Sequence, residues 1–512
     1  MNVELKLLVD TRYKETILRH PLFSSPTAPK PVEQKQVDTY FYTPDMKLRQ
    51  RYIGLHVRRT KNRWIQTIKG NGSAESGLHS RGEWESAVAG PVPELNHLRD
   101  SIDNKNVRRN LAAAPALQKR LVAVLATNVR RTMWNLRLAD GAQVECSFDQ
   151  GTLKCGDKEA PISELELELK SGDVRQLFDL ALGLQQDIPL RLGNRSKADR
   201  GYALLAPTDP QAIKATPLVL SKPMTVEQAF VAIASNCLAQ MQSNDQQVVQ
   251  GNDVESLHQM RVGMRRFRSA LSIFKGLIKV PDDIGAEIAW LSGELGDTRD
   301  WDVLAGSALP ELANTTLIAE HMGGVQQAAV DEALAHHNRT SAALNSSRYS
   351  RLMLSILRWV HTMGWHEDQA LMAAKGRKLV GPVANFARQV LRHDQRRLCH
   401  QADNLKNASP EARHRLRIAA KKTRYAAEFF GSLFSSRTLR PYVKGLSGLQ
   451  DELGVLNDIA VAERLLTGLS EQHPELVASV GFVRGFMAAR VKNDDKKIVR
   501  LWRNFKPLGL PH

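Results

Sequence analysis

The chain has 512 residues, 42% apolar and 24% charged, which is long for a single core and fits a globular protein of two or three domains. Its 71 Lys/Arg against 54 Asp/Glu leave a net charge of +17, which points to a polyanionic partner: nucleic acid, an acidic membrane surface or polyphosphate. Four scattered cysteines (Cys146, Cys155, Cys237 and Cys399), with no C-x-x-C pair, argue against a disulfide framework or a structural zinc site and fit a reducing cytoplasm. Charges interrupt the opening MNVELKLLVD where a signal peptide needs an apolar stretch, and no run of about 18 apolar residues offers a membrane span. The basic excess is shared: residues 1–210 hold 32 Lys/Arg and 25 Asp/Glu, the remainder 39 and 29. Both halves are basic, so this is no charged tail on a neutral body.

Up to about residue 205 the pattern alternates with period two, in short runs broken by Gly, Pro and Asn. It predicts strands at 2–9, 36–42, 53–60, 63–69, 81–89, 129–138, 142–149 and 162–170, with helices near 12–20, 116–124 and 173–185. Asn2, Glu4 and Lys6 share one face of the first strand. Glu164, Glu166, Glu168 and Lys170 alternate with leucines in the last, and Gln143, Glu145, Ser147 and Asp149 alternate with apolar neighbours between them. One solvated face is the ordinary reading of any single such strand. Three Glu at period two repel one another, however, and call for a cation beside them. Closed into a barrel, such a sheet would gather carboxylates suited to Mg²⁺ or Mn²⁺ and Arg/Lys suited to phosphate oxygens.

The order VELK, DTYFYTP, GLHVR, TIKG, SRGEWE, FDQG, ELELELK and SKADRGY resembles CYTH domains, the triphosphate tunnel metalloenzymes, over residues 1–205. The resemblance implies an eight-stranded antiparallel β-barrel tunnel with flanking helices, and metal-dependent hydrolysis of a small triphosphate, foremost inorganic triphosphate. It assigns Glu4, Glu166 and Glu168 to the metal, Mg²⁺ or Mn²⁺, and these with Lys6 to catalysis. Glu83, Glu145 and Asp149 would be further lumen carboxylates, and Lys6, Arg58, Lys69, Arg81, Arg131 and Lys197 would hold phosphate oxygens. Two positions depart from the family pattern. Asn2 stands at the first position of E-x-E-x-K, and His56 stands where the family has Arg.

Residues 206–222, with three prolines between Ala206 and Pro223, read as a linker. From Thr225 onward strand signals vanish, and apolar spacings of three and four predict helices of about 15–30 residues. One motif is written twice. His258, Arg261, Arg265 and Arg268 stand at offsets 0, 3, 7 and 10, as do His414, Arg417, Lys421 and Arg424, with Arg266 and Lys422 at offset 8. Each set falls within an arc of roughly 80° on a helix, with no acid between its ends. Like charges at i,i+4 destabilise a bare helix, so a stripe made twice in one register implies an external anion. Matched LGDTRDWDVL and LGVLNDIAVA follow, with Gly296 and Asp300 in one and Gly454 and Asp458 in the other. A further row, Arg388, Arg392 and Arg396, reads either as a solvated face or as an extension of the same surface.

The duplicated H-x-x-R-x-x-x-[RK]-[RK]-x-R motif resembles the CHAD family over about 224–506. That resemblance implies a helical domain at 223–508 made of two repeated four-helix units (223–365 and 370–508), whose basic stripes bind inorganic polyphosphate and associate with polyphosphate granules. The combined expectation is a cytoplasmic inorganic triphosphatase whose helical half binds polyphosphate. The alternative is a non-enzymatic polyphosphate-binding protein with an impaired tunnel. Nucleic acid is disfavoured, since only Phe267 and Tyr425 offer aromatic platforms near the stripes, and no membrane partner is expected.

Overall fold

In the computed structural model the backbone is described for all residues except 1, 26–27, 52, 76–77, 112–113, 206–210, 252, 314–318, 404, 406–407 and 491–494. Side chains at 2, 71–75, 79–81, 114–115, 251, 319–321, 410, 456–457, 489–490 and 495 also lie outside the description. The chain divides into two compact units, Met1–Gln211 with Ser346–Thr362, and Ala212–Asn345 with Met363–His512.

The first unit is built on one antiparallel sheet. Its strands are β1 (Asn2–Val9), β2 (Val32–Tyr42), β3 (Gly54–Thr60), β4 (Arg63–Glu75), β5 (Leu78–Val88), β6 (Val122–Arg137), β7 (Gln143–Cys155), β8 (Lys158–Ser171) and β9 (Leu190–Leu192). They lie in the order β5-β4-β3-β2-β6-β7-β8-β1-β9, and β1 pairs again with β5 from Asn2↔Arg81 to Leu5↔Leu78. The sheet therefore has nine strands where the sequence predicts eight. Leu190–Leu192 is too short to display an alternation, and it is held by pairing with β1. The helix expected at 116–124 is also displaced: helix stops at Gln118 and β6 has begun by Val122. Val122–Leu125 is a continuous apolar run with an alanine inside it, which fits either period.

The alternation places Leu5, Leu7, Leu55, Val57, Leu165 and Leu167 on the outer face, each fully buried. Short helices at Leu95–Ser101 and Lys105–Asn110 cover part of that face with Leu95, Leu98 and Val107. Helix α1 (Arg175–Asp187) buries Leu177, Phe178, Ala181 and Leu184 along one stripe, and α2 (Lys197–Leu205) follows β9. Strands β6 and β7 approach so closely at Gly151 that a Cβ there would lie 2.0 Å from the Asn128 carbonyl oxygen.

The helical unit contains α3 (Val226–Gly251), α4 (Val254–Phe274), α5 (Asp282–Val303) and α6 (Ala319–Leu344). After α7 (Ser347–His361), which belongs to the first unit, it continues with α8 (Val383–Gln401), α9 (Pro410–Phe429), α10 (Ser436–Gln472), α11 (Val477–Arg490) and α12 (Asp495–Phe505). Asp253 caps α4 and Ser409 caps α9, so the two stripe helices start with equivalent chemistry. Residues 211–221, part of the expected linker, have no helix or strand. Ile213 N donates to Asn244 Oδ1 (2.8 Å) and Leu220 N to Ser432 Oγ (2.8 Å). The remainder of that stretch, 206–210, lies outside the described residues.

Helix α7 was not separable in sequence from the helices around it, yet it packs on α1. Arg358 Nε meets Asp179 Oδ1 at 2.5 Å, and the Phe178 and His361 rings stack at 6.1 Å. Among the described residues no helix is long and apolar enough to cross a membrane.

Replacing Gly151 by alanine should force β6 and β7 apart and lower stability by about 1–3 kcal/mol or more. Urea unfolding read by far-UV circular dichroism would test this, and an unchanged midpoint would mean that the close approach is not a constraint.

Candidate functional site

The inner face of the sheet borders a cavity of about 730 Å³. Register explains its contents, because direct cross-strand neighbours share a face. Glu4 lies opposite Glu168, and Glu168 opposite Glu145, which makes one carboxylate row across β1, β8 and β7. In the next row Lys6 faces Glu166. Deeper still, Glu164 faces Asp149 and Asp149 faces Arg131. On the other side Asp38 faces Arg58, Tyr40 faces His56 and Lys69 faces Glu83.

The opposite charges among these residues form ion pairs, within a row and between rows. Arg131 grips Asp149 through Nε (2.7 Å) and Nη2 (2.6 Å) and reaches Glu166 Oε2 at 2.7 Å. Lys197 Nζ lies 2.8 Å from Asp149, 2.6 Å from Glu164 and 2.9 Å from Glu166. Lys6 contacts Glu166 closely and Glu164 at 3.1 Å, while Arg200 closes the back of Glu164 at 2.9 Å. Nearer solvent, Lys170 lies 2.5 Å from Glu168 and 3.5 Å from Glu145. Lys69 meets Glu83 at 3.1 Å, and Arg58 Nε meets Asp38 at 3.0 Å.

Local structure aims these groups. Ser196 and Asp199 form a reciprocal cap at the start of α2, with the Ser196 hydroxyl 2.6 Å from the Asp199 carboxylate and accepting from Asp199 N at 3.1 Å. Lys197 is thereby turned inward. Gly193 lets the preceding segment close over Lys6, since a Cβ there would meet Lys6 Cγ at 2.7 Å.

The electrostatics follow from burial and pairing. Burial opposes the charge of Glu166, but Lys197, Lys6 and Arg131 hold its carboxyl well below the usual range. Burial likewise opposes Lys197, and Asp149, Glu164 and Glu166 more than compensate, raising its pKa well above that of a free lysine. Asp38 is held down to about 2 against its own burial, chiefly by Arg58. His56 behaves oppositely: burial drives it down to about 3 despite Asp38. It is a neutral imidazole whose Nε2 is buried without a hydrogen-bond partner.

Every expected lumen residue with a described side chain borders the cavity except Asp149, which lies fully buried behind Arg131 and Lys197. Asn2 and Arg81 stand on β1 and β5, and their side chains lie outside those described. Four charged lining residues were not singled out from sequence: Asp38, Arg49, Glu85 and Asp199. Asp38 was within reach, since Gln36, Asp38 and Tyr40 alternate. Arg49 was not, because it comes from the short helix Lys47–Gln50 rather than from a strand.

For a divalent cation two acidic groups compete. Oxygens of Asp149, Glu164 and Glu166 all lie within 4.8 Å of one another, but the Lys197 ammonium already bonds all three. The row of Glu4, Glu168 and Glu145 faces the cavity, with Lys170 alone among the described cations on it. Glu4 and Glu168 thus offer cavity-facing carboxylates outside that lattice, whereas both oxygens of Glu166 are engaged, Oε1 by Lys6 and Lys197 and Oε2 by Arg131.

In the helical unit α4 and α9 pack together, and the two stripes converge. Lys421 is pushed down to about 7 by burial and then by Arg265, Arg417, Arg261 and Arg268. Burial with neighbouring arginines also lowers Arg261, Arg417 and His258. Arg265 Nε donates to the Tyr425 hydroxyl at 2.7 Å, linking the repeats, and Arg424 lies over the same ring at 4.9 Å. Asp300 pairs with Arg261 at 3.3 Å, and Asp458 acts on Arg417. The offset-8 residues turn toward the preceding helix of their own repeat. Arg266 bonds Gln240 and Asn236 at 2.8 Å each, and Lys422 lies 3.7 Å from Asp394. His414 and Arg268 are exposed.

Residues 1–202 match the family model of the CYTH domain, and residues 232–467 that of the CHAD domain. Over 167 residues, 33% of this chain, the sequence is 34% identical to the inorganic triphosphatase of Haemophilus influenzae, and the match spans 45% of that protein's length. The crystal structure of the CHAD domain from the plant Ricinus communis is similar at 36% identity and a TM-score of 0.52, over 59% of this chain and 99% of that one.

Lys197→Met would strand three buried carboxylates and should cost about 3–5 kcal/mol at neutral pH. The deficit should shrink as pH falls and those carboxylates protonate; a deficit independent of pH would mean that packing, not charge, is lost. For His56, the native state refuses a proton that the unfolded chain accepts below about 6.5. Stability should therefore fall between pH 7 and 5, and fall less in His56→Gln.

Proposed function

The chain belongs to the CYTH and CHAD families, one domain of each in that order, and on that footing we propose that it is a metal-dependent inorganic triphosphatase whose helical half binds inorganic polyphosphate. The observation that carries the first part is the buried lattice of Lys6, Arg131 and Lys197 against Asp149, Glu164 and Glu166. The second pairing of β1, with β5, supports reading β1 to β8 as a closed tunnel around the cavity. Asp149 and Glu164 are positioning residues that hold Arg131 and Lys197. Lys6, Arg58, Lys69, Arg81, Arg131 and Lys197 would take phosphate oxygens, Arg58 with its Nε already steadied by Asp38.

Charge balance supports the metal. The lining holds seven Lys/Arg and eight Asp/Glu, so a triphosphate entering alone would leave a poorly solvated space several charges negative. A divalent cation, Mg²⁺ or Mn²⁺, held by Glu4, Glu166 and Glu168, would offset that charge and lower the pKa of an attacking water. The cations on the phosphate oxygens then stabilise the charge that develops as the bridging bond breaks, with the nucleophile in line.

A second reading, a binding protein with an impaired tunnel, is favoured by Asn2 in place of Glu and by the neutral His56. Phosphate release from inorganic triphosphate separates the two. Glu4→Gln or Glu168→Gln should reduce turnover about 100-fold or more, and Asn2→Glu should raise it if the missing carboxylate limits the reaction. Absence of turnover with either metal, while polyphosphate is still bound, would sink the enzymatic reading.

The helical half is proposed to bind polyphosphate, soluble or in granules, between α4 and α9, where Arg261, Arg265, Arg417 and Lys421 crowd together. His258, Arg268, His414 and Arg424 would extend that groove, with Arg266 and Lys422 bracing its sides. Lys421 near 7 gives a signature. A bound polyanion favours its protonated form, so affinity should hold below pH 7 and weaken as pH rises above it, by at most tenfold per unit. Lys421→Arg should abolish that dependence; an unchanged profile in the variant would remove Lys421 from the site.

A further inference from the structure

Helix α8 carries Arg388, Arg392, Arg396 and Arg397, with His393 and His400, and its single acid is Asp394. The four arginines and two histidines are exposed, whereas Asp394 is buried and turned to Lys422 of α9. At about 100° per residue the helix has three sides. Val383, Ala387, Leu391, Asp394 and Leu398 face inward. Arg388, Arg392 and Arg396 form an outward row about 12 Å long, and His393 and Arg397 lie on the flank shared with Asp394.

That flank is the one next to α9, because Lys422 reaches Asp394 and both His393 and Arg397 act on the same carboxyl. Lys422 is the chain neighbour of Lys421, which sits among the groove arginines. From the α9 flank, where Lys422 follows Lys421, the basic positions Arg397, His393, Arg396, Arg392 and Arg388 succeed one another around α8 in steps of about 40–60°.

A solvated face would normally interleave acids with such a row, and Arg388, Arg392 and Arg396 at i,i+4 repel one another. The counterpart in the first repeat differs. Helix α3 directly precedes stripe helix α4 as α8 precedes α9, yet α3 has no Lys or Arg in 26 residues. The arginines of α8 are therefore not a general property of the duplicated helix.

We propose that the exposed face of α8 is a second polyphosphate-binding surface, a one-sided extension that takes the part of a long chain emerging from the groove. This rests on the groove reading, and it adds a prediction the groove alone does not make: affinity should depend on chain length through α8. A polyphosphate no longer than the stripe helices, about 30 Å, fills the groove, whereas a longer one also neutralises the α8 row.

The test compares the full chain with a variant carrying Arg392→Gln, Arg396→Gln and Arg397→Gln, all at exposed positions, using short and long polyphosphate over a salt series. Affinity for the long chain should drop at least about tenfold, with a shallower slope of log affinity against log salt, while affinity for the short chain stays the same. Unchanged affinity for the long chain, or equal loss for both lengths, would overturn the proposal. Loss of single-stranded DNA binding with long-chain polyphosphate binding intact would also overturn it, making α8 a nucleic-acid surface. Failure of the unaltered protein to bind the short chain would instead contradict the groove reading.

Discussion

One ammonium group organises the first unit. Lys197 bonds three carboxylates that strand register brings together, and for each of them it is the foremost of the cations that offset burial. Removing charges from water costs several kcal/mol each, and the cost is met only where geometry and additional hydrogen bonds are good. Arg131 and Arg200 grip the oxygens that Lys197 leaves (Asp149 Oδ1, Glu166 Oε2 and Glu164 Oε2), and Lys6 shares Oε1 of Glu164 and Glu166 with it. The lattice fixes where the cations point, which is the property a phosphate site requires. The caps and close contacts around it, Ser196 with Asp199 and Gly193 over Lys6, serve to place two lysines.

The two units treat charge in opposite ways. In the cavity nearly every cation has a carboxylate, and a highly charged ligand fits best accompanied by a metal. Between α4 and α9 the cations crowd one another, although Asp300 pairs with Arg261 and Glu428 with Arg424, and Lys421 loses much of its affinity for a proton. A bare polyanion relieves that repulsion directly. On the proposed reading, the balanced site would act on a small substrate and the unbalanced one would hold a long one.

Sequence made much of this legible, and the failures have physical causes. Period-two alternation located the lumen face because strand side chains strictly alternate, and the cation stripes stood out because they occur twice in one register. Glu164 read as one more rung of a glutamate ladder, although it is fully buried and holds three cations, since depth beneath a sheet face leaves no periodic trace. The offset-8 cations looked like stripe members, yet Arg266 and Lys422 turn to neighbouring helices, which a helical wheel of one helix does not reveal. Arg49 reaches the cavity from outside the sheet, and α7 leaves the helical run to pack on α1. Both are tertiary placements that local pattern does not encode.

The most direct measurement is a phosphorus NMR time course of the full chain with inorganic triphosphate and Mg²⁺ or Mn²⁺. The account predicts that the triphosphate resonances decay into orthophosphate and pyrophosphate, faster than metal alone achieves. Triphosphate that binds, shown by protein-dependent broadening in the Mg²⁺ sample, yet remains intact with both metals would contradict it and leave the lattice as a binding site only.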